Sequence, residues 1–281
     1  MTISAGVPVR DALDSAVVAI GASGSESPRL DAELLLAHVL GVGRQQLVLD
    51  RDLVVAGPQI RAYQDLVRRR AVERTPVAYL LGTRGFRHIE LAVDPRVLVP
   101  RPETEHLVEA ALGLPHGARV ADIGTGSGAV ALALADERPD LRVVATDISA
   151  DALAVAGGNA ERLGLQVEFA QGDLLDAVDG PLDAVVSNPP YVEDGAALPP
   201  DVARHEPAGA LFAGADGLDV YRRLVPQAAA RAPFLAVEVG AGQAGVVGAL
   251  MRAAGFTGVQ THRDLAGIDR VVVGIRTSDD A

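Results

Sequence analysis

A chain of 281 residues, 49% hydrophobic, suits one large domain or an ordinary domain with a small companion, and is too apolar for disorder. It has no cysteine, which excludes disulfides, thiolate nucleophiles and cysteine-based metal sites, and its six histidines are scattered rather than paired at ligand spacing. A net charge of −12 argues against a broad surface that tracks phosphates, and so against direct nucleic-acid binding.

No apolar run is long enough to span a bilayer, and no basic stretch with an apolar core stands at the N-terminus. A cytoplasmic chain with no membrane partner and no metal is expected. The charge is uneven: residues 1–75 carry nine acidic and nine basic side chains, so the whole excess lies beyond them. Every basic residue is arginine.

Residues 1–74 read as a small helical bundle. Val7 to Ile20 has apolar residues at helical spacing; Ser27-Pro28 opens a second helix that stops at Gly41 to Gly43; a short helix follows from Arg44; Pro58 starts another running to Arg68-Arg69-Arg70. Those three arginines read as cations easing a helix C-terminus rather than as a nucleic-acid patch. Residues 75–100 read as a hairpin-like connector, with strands over Val77–Leu81, Arg87–Val93 and Val97–Val99. Pro100 to Glu105 then opens a helix, with acids behind the prolines. That accounts for every residue of the stretch except Arg101.

From 101 onward strands and helices alternate, which predicts a mainly parallel sheet with helices on both faces. Strands are expected at Arg119–Ile123, Arg142–Thr146, Gln166–Ala170, Leu182–Val186, Phe234–Val239, Phe256–Thr261 and Arg270–Ile275. The last two have no helix between them, which places an antiparallel strand near the C-terminus.

The motifs sit at the ends of these strands. Gly124-Thr125-Gly126-Ser127-Gly128 is a glycine-rich turn spaced G-x-G-x-G, unlike the G-x-G-x-x-G that cradles a dinucleotide pyrophosphate. That spacing disfavours a nicotinamide dehydrogenase. Asp147 ends the second strand, where a carboxylate accepts from ribose hydroxyls. Asp173 ends the third and could meet a base amine or order its loop. Ser187-Asn188-Pro189-Pro190-Tyr191 follows the fourth. The prolines fix φ, and Pro189 keeps Asn188 out of the helical region. The Asn188 side-chain oxygen and the Pro189 carbonyl could each accept one hydrogen of a planar NH2 group, with Tyr191 against its face. The plainer reading is a polar turn.

Together these motifs resemble class I S-adenosylmethionine methyltransferases, a Rossmann-like α/β fold. Further segments resemble one family in particular, the peptide chain release factor N5-glutamine methyltransferases: Leu98 to Glu105, His205-Glu206-Pro207, Leu211 to Gly214, Asp216-Gly217-Leu218, Glu238-Val239-Gly240 and Asp264 to Arg270. The match runs unbroken from about 76 to 276. The resemblance implies S-adenosylmethionine as cofactor, held by Gly124, Thr125, Gly126, Ser127, Gly128, Asp147, Asp173, Leu174 and Asn188. It implies that Asn188, Pro189, Pro190 and Tyr191 bind the substrate amide, with Asn188, Pro189 and Tyr191 catalytic. It also implies methylation of the glutamine of the Gly-Gly-Gln loop of release factors, selected by residues 1–74; a monomer is expected. A ribosomal-protein glutamine or a DNA adenine amine is the alternative acceptor.

Overall fold

The computed structural model describes residues 6–50 and 53–276. The chain divides into two compact units, one formed by residues up to 82 with 198–205, the other by 83–197 with 206 onward.

The first unit contains α1 (Val9–Ala22), α2 (Pro28–Leu40), α3 (Arg44–Leu49), α4 (Gly57–Arg68) and α5 (Val77–Leu81), with the two-residue strands β1 (Val7–Pro8) and β2 (Val54–Val55) paired antiparallel. Val9, Leu13, Ala16 and Ile20 recur on one face of α1 and are buried, the spacing of an amphipathic helix. Pro28 opens α2 with its φ preset; Gly41 ends it at φ 68°, where any side chain would be strained. The Tyr63 hydroxyl donates to the Ala32 carbonyl at 3.1 Å and so fixes α4 against α2.

The arginine triplet differs from expectation at one position. Arg68 is exposed, bonding Asp65 at 3.1 Å and Glu73 at 2.6 Å. Arg70 is buried. Its Nε donates to Asp31 at 2.8 Å and its Nη1 to Asp201 at 3.3 Å. Asp201 lies on the short helix of the 198–205 segment, and His205 Nε2 meets the Glu73 carbonyl at 2.8 Å. A residue 131 positions away cannot be read from local sequence.

The strand expected over Val77–Leu81 is instead helix α5. A short apolar run fits either state. Here Pro76 accepts from Tyr79 and Leu80 through its carbonyl, and Gly82 at φ 74° closes the turn. The single strand expected over Arg87–Val93 is part of a tight hairpin, β3 (Thr83–Phe86) with β4 (Ile89–Ala92), whose turn holds Arg87 at φ 49°. The Arg87 guanidinium bonds Glu137, and its backbone N–H donates to Glu105 at 3.1 Å, which fixes the reversal. Val97–Val99 is loop, since Asp94 turns the chain by accepting from Val97.

The second unit continues through α6 (Glu105–Ala111), β5 (Arg119–Ile123), α7 (Ala129–Glu137), β6 (Arg142–Asp147), α8 (Ala150–Leu163), β7 (Glu168–Gln171) and β8 (Ala184–Ser187). After α9 (Pro200–His205), which belongs to the first unit, come α10 (Asp219–Arg231), β9 (Phe234–Glu238), α11 (Ala244–Ala253), β10 (Gly258–Arg263) and β11 (Asp269–Ile275). One sheet runs β7-β6-β5-β8-β9-β11-β10. Its first five strands are parallel; β11 runs antiparallel to β9, and β10, paired antiparallel with β11, runs in the direction of the first five. The inner strands β5, β6, β8, β9 and β11 are near-continuous runs of Val, Ala, Ile and Leu because both faces are buried, whereas the edge strands β7 and β10 are more polar and exposed. Tyr221, Leu224, Val247, Met251 and Phe256 cover one face. Chain order reverses between β5 and β8, the crevice where open α/β sheets hold ligands.

Candidate active site

At the end of β5 the chain turns through Gly124, Gly126 and Gly128 at φ 72°, 57° and 85°. Those values favour glycine, and they leave the turn's backbone close to any occupant. At Gly128 a Cβ would also stand 2.8 Å from Leu132. The turn is held from beneath. The amides of Gly124 and Thr125 each donate to the Thr146 carbonyl at 2.9 Å. Asn159, fully buried, donates to the Ser127 carbonyl at 2.9 Å and pairs with both backbone groups of Ala92 on the hairpin. Asp147 accepts from the Gly126 amide and the Ser149 amide, each at 2.9 Å. Its carboxylate thus ties the turn to the start of α8 and keeps lone pairs for a hydroxyl donor.

Asp122 is buried beneath this turn, accepting from Thr125 Oγ1 at 2.6 Å and the Ala131 amide at 3.2 Å. Burial pushes its carboxyl up to about 6, against these two bonds. A carboxyl raised in the fold binds its proton more tightly folded than unfolded. Its stability contribution is therefore full below about pH 4 and is lost as pH rises through about 6, by about 3 kcal/mol at most. Asp122→Asn keeps an acceptor and should flatten that slope; urea unfolding midpoints between pH 4 and 8 check this, and an unchanged slope would clear Asp122. The opposite sign holds for Glu137 and Asp94, which arginine partners keep below the usual carboxylate range.

On the neighbouring strand, Ser187 Oγ donates to the Ile123 carbonyl at 2.7 Å and locks the two strand ends together. Asn188 follows. Its Nδ2 donates to Thr104 Oγ1 at 3.1 Å, and Thr104 itself is buried. Pro189 is buried, and Tyr191 packs on the sheet core with its hydroxyl pushed up to about 12 by burial. Gln243 holds the end of this stretch: Nε2 donates to the Tyr191 carbonyl at 3.0 Å and Oε1 accepts from Gly240 at 3.0 Å. A Cβ on Gly217 would meet the Tyr191 carbonyl at 2.2 Å. Arg101, the residue left unaccounted for by capping, donates from Nη2 to both carboxyl oxygens of buried Glu206, at 2.6 and 2.8 Å.

A cavity of about 480 Å³ opens at the switch point. Gly124, Gly126, Asp147, Asp173, Leu174, Asn188 and Pro190 line it, joined by Ile148, Phe212 and Arg223. Arg223 pairs with the Asp173 carboxylate. Leu174 stands at φ 53°, an uncommon conformation for leucine, and its carbonyl accepts from Thr146 Oγ1 at 3.1 Å. A smaller recess of about 50 Å³ lies among Thr125, Ser127, Arg101, Thr104 and Asn188. Asp122, Gln243 and Arg223 have no role readable from the sequence; Thr104 and Glu238 fall within segments of the family resemblance, where the Arg101 to Glu105 segment is expected over the methionine end of the cofactor. Glu238 carries the same signal that marks Asp147 and Asp173, an acid ending an apolar strand. Gln243 carries none, and Thr104 only its place in the Leu98 to Glu105 segment.

Residues 103–205 match the family described as Methyltransferase small domain, and residues 11–82 match PrmC N-terminal domain. The release factor glutamine methyltransferase of Rhodospirillum rubrum is 44% identical over 94% of this chain and 84% of its own length. That of Geobacter sulfurreducens is 42% identical over 95% and 96%. The chain belongs to the release factor glutamine methyltransferase family. A crystal structure of a methyltransferase from Pyrococcus furiosus shares the fold at a TM-score of 0.52 and 18% identity, over 66% of this chain and 88% of that one. Membership of the release factor glutamine methyltransferase family spans both units, since the relatives match nearly end to end, and neither the ribosomal-protein nor the DNA reading is favoured. Among the described residues no helix is long and apolar enough to cross a membrane, and no cluster of His, Asp and Glu is placed to hold a metal ion.

Proposed function

We propose that this chain, a cytoplasmic monomer that binds no nucleic acid, transfers a methyl group from S-adenosylmethionine to the side-chain amide nitrogen of the Gly-Gly-Gln glutamine of release factors. The observation that carries the reading is the placement of Asn188 at the rim of the switch-point cavity. Its amide nitrogen is held by Thr104, so its Oδ1 is the atom left to accept.

The cavity fits the cofactor by its donor set. The glycine turn offers a close approach for the methionine part. Asp147 keeps acceptor capacity for ribose hydroxyls. Leu174 and Ile148 supply apolar walls for a base, and Asp173 an acceptor at its edge. When bound, the cofactor supplies a methyl group already activated by sulfonium.

This chain's residues then bind and orient the acceptor. A neutral amide nitrogen is a poor nucleophile because its lone pair is delocalised. Accepting its two N–H bonds at Asn188 Oδ1 and the Pro189 carbonyl draws electron density onto nitrogen and fixes the direction of the lone pair. Alignment of this kind contributes about 7–11 kcal/mol. Incubation of a purified release factor with enzyme and S-adenosylmethionine, followed by peptide mass spectrometry, should place one added methyl on the Gly-Gly-Gln glutamine. An unmodified glutamine there, with methyl found elsewhere, overturns the reading.

Asp147→Ala should weaken S-adenosylmethionine binding about 10- to 100-fold, the worth of a hydrogen bond to a charged group. Calorimetry showing unchanged affinity removes Asp147 from the site.

Glutamine alone cannot identify one protein, so selection needs a second contact. The first unit presents a groove of about 420 Å³ along α1 and α4, with Ser15 and Val72 at its surface. It is assigned here as the dock for a second part of the release factor. Ser15→Glu with Val72→Glu should raise KM for intact release factor about tenfold, leaving a short Gly-Gly-Gln peptide unaffected. Equal effects on both substrates would clear the groove.

A further inference from the structure

Glu238 is the last residue of β9, and the register that pairs Ser187 with Val237 sets it level with Asn188 on the adjacent strand. The residue is 1% exposed. Its backbone is pinned: the carbonyl accepts from the Tyr221 hydroxyl at 2.7 Å, and β11 pairs along its other side. Among the described residues no direct salt bridge neutralises the carboxyl; nearby Arg101 and Arg270 pair with Glu206 and Asp264. Oε2 is buried without a hydrogen-bond partner, and the Thr104 hydroxyl lies close enough to the carboxyl to favour its ionised form. A buried carboxyl in so poor an environment calls for a reason.

The reason lies in hydrogen-bond polarity. An ionised carboxylate only accepts, so a hydroxyl beside it turns its one hydrogen toward it. Thr104 then has only lone pairs to offer on its other side. Asn188 must meet it with Nδ2, as observed at 3.1 Å, and Oδ1 is turned the other way. An asparagine amide has two orientations related by a half-turn, and only one offers an acceptor to an incoming NH2 group. We infer that Glu238 is a positioning residue that fixes the Asn188 amide, through Thr104, in the orientation that accepts from the substrate glutamine. This rests on Asn188 being the substrate clamp.

The relay has a pH dependence. Burial pushes the Glu238 carboxyl up to about 7; Thr104 opposes this, neighbouring Glu103 adds to it, and Arg270 and Arg101 lower it. Tyr191 and Tyr221 also face it, and burial keeps both hydroxyls neutral above the ordinary tyrosine range. Once protonated, Glu238 can donate to Thr104. The hydroxyl is then free to donate to Asn188, and the amide can turn over.

The test combines kinetics with nuclear magnetic resonance of the full chain, observing the Asn188 side-chain amide directly. In the wild type that signal should titrate with a midpoint near 7, and kcat should rise through the same range while KM for S-adenosylmethionine stays level. Glu238→Gln should abolish the titration and lower kcat about 10- to 100-fold, the cost of a misplaced reacting group. Thr104→Val should do the same and Thr104→Ser should restore both, which a packing role would not predict. An amide signal indifferent to pH and to Glu238→Gln, in an enzyme that Asn188→Ala inactivates, overturns the relay and spares the clamp. A titrating signal in an enzyme that Asn188→Ala leaves active confirms the hold of Glu238 on the amide and overturns the clamp instead.

Discussion

Replacing Asn188 with alanine is expected to lower kcat about 100-fold while changing unfolding free energy by only about 1 kcal/mol. The side chain is half-buried at a cavity rim and makes one hydrogen bond, to Thr104, so little of the fold depends on it. Its neighbours hold the backbone without it: Ser187 is bonded to Ile123, the prolines fix φ, and Gln243 grips the Tyr191 carbonyl. The site stays shaped, and what is lost is the acceptor that orients the reacting nitrogen. Loss of an interaction made mainly in the transition state appears in kcat and kcat/KM alike. Asn188→Asp is the companion variant. It keeps an acceptor but cannot donate to Thr104 when ionised, so it should also fail. Single-turnover methylation, with cofactor affinity measured separately, checks both. A folded Asn188→Ala enzyme within threefold of wild type would show that the glutamine is oriented by other groups.

The sheet and its motifs were legible because parallel strands buried on both faces are continuous apolar runs, and each motif sits where such a run stops. Asp147 ends β6, Asp173 follows β7 by two residues and Asn188 follows β8 directly, and all three line one cavity. Element ends shifted by a residue or two, as at β7 and β10, because fraying ends carry little sequence signal. The failures have a different origin. Val77–Leu81 is five residues long, too short for period 2 and period 3.6 to be told apart, and its state was decided by the flanking Pro76 and Gly82. Thr104 and Gln243 act through partners 84 and 52 residues away, and such pairings exist only once the sheet is assembled. The role of Arg70 is hidden in the sequence for the same reason. Read locally it is the third cation at a helix end, whereas its partners are Asp31 and Asp201.

That cluster carries the largest expected effect on stability. Arg70 and Asp31 are each buried, and the Arg70 Nε to Asp31 Oδ2 distance is 2.8 Å. Ser25 and Ser27 add hydroxyls to Asp31 at 2.8 and 3.2 Å. Removing charges from water is costly, so the pair as a whole adds little net stability, yet breaking it strands an uncompensated carboxylate among apolar helices. Arg70→Ala should therefore destabilise the first unit by about 3–5 kcal/mol. Removing both charges with residues of similar volume, as Asp31→Leu with Arg70→Met, should recover most of that loss. Asp201 would keep only the longer 3.7 Å pairing with Arg74. The 198–205 segment would then be held mainly by the His205 bond to the Glu73 carbonyl. Urea unfolding followed by far-ultraviolet circular dichroism reads the first effect, and limited proteolysis between 192 and 206 reads the second. An Arg70→Ala chain less than 1 kcal/mol weaker, and no easier to cut in that segment, would mean that the helices rather than this ion cluster fix the segment in place.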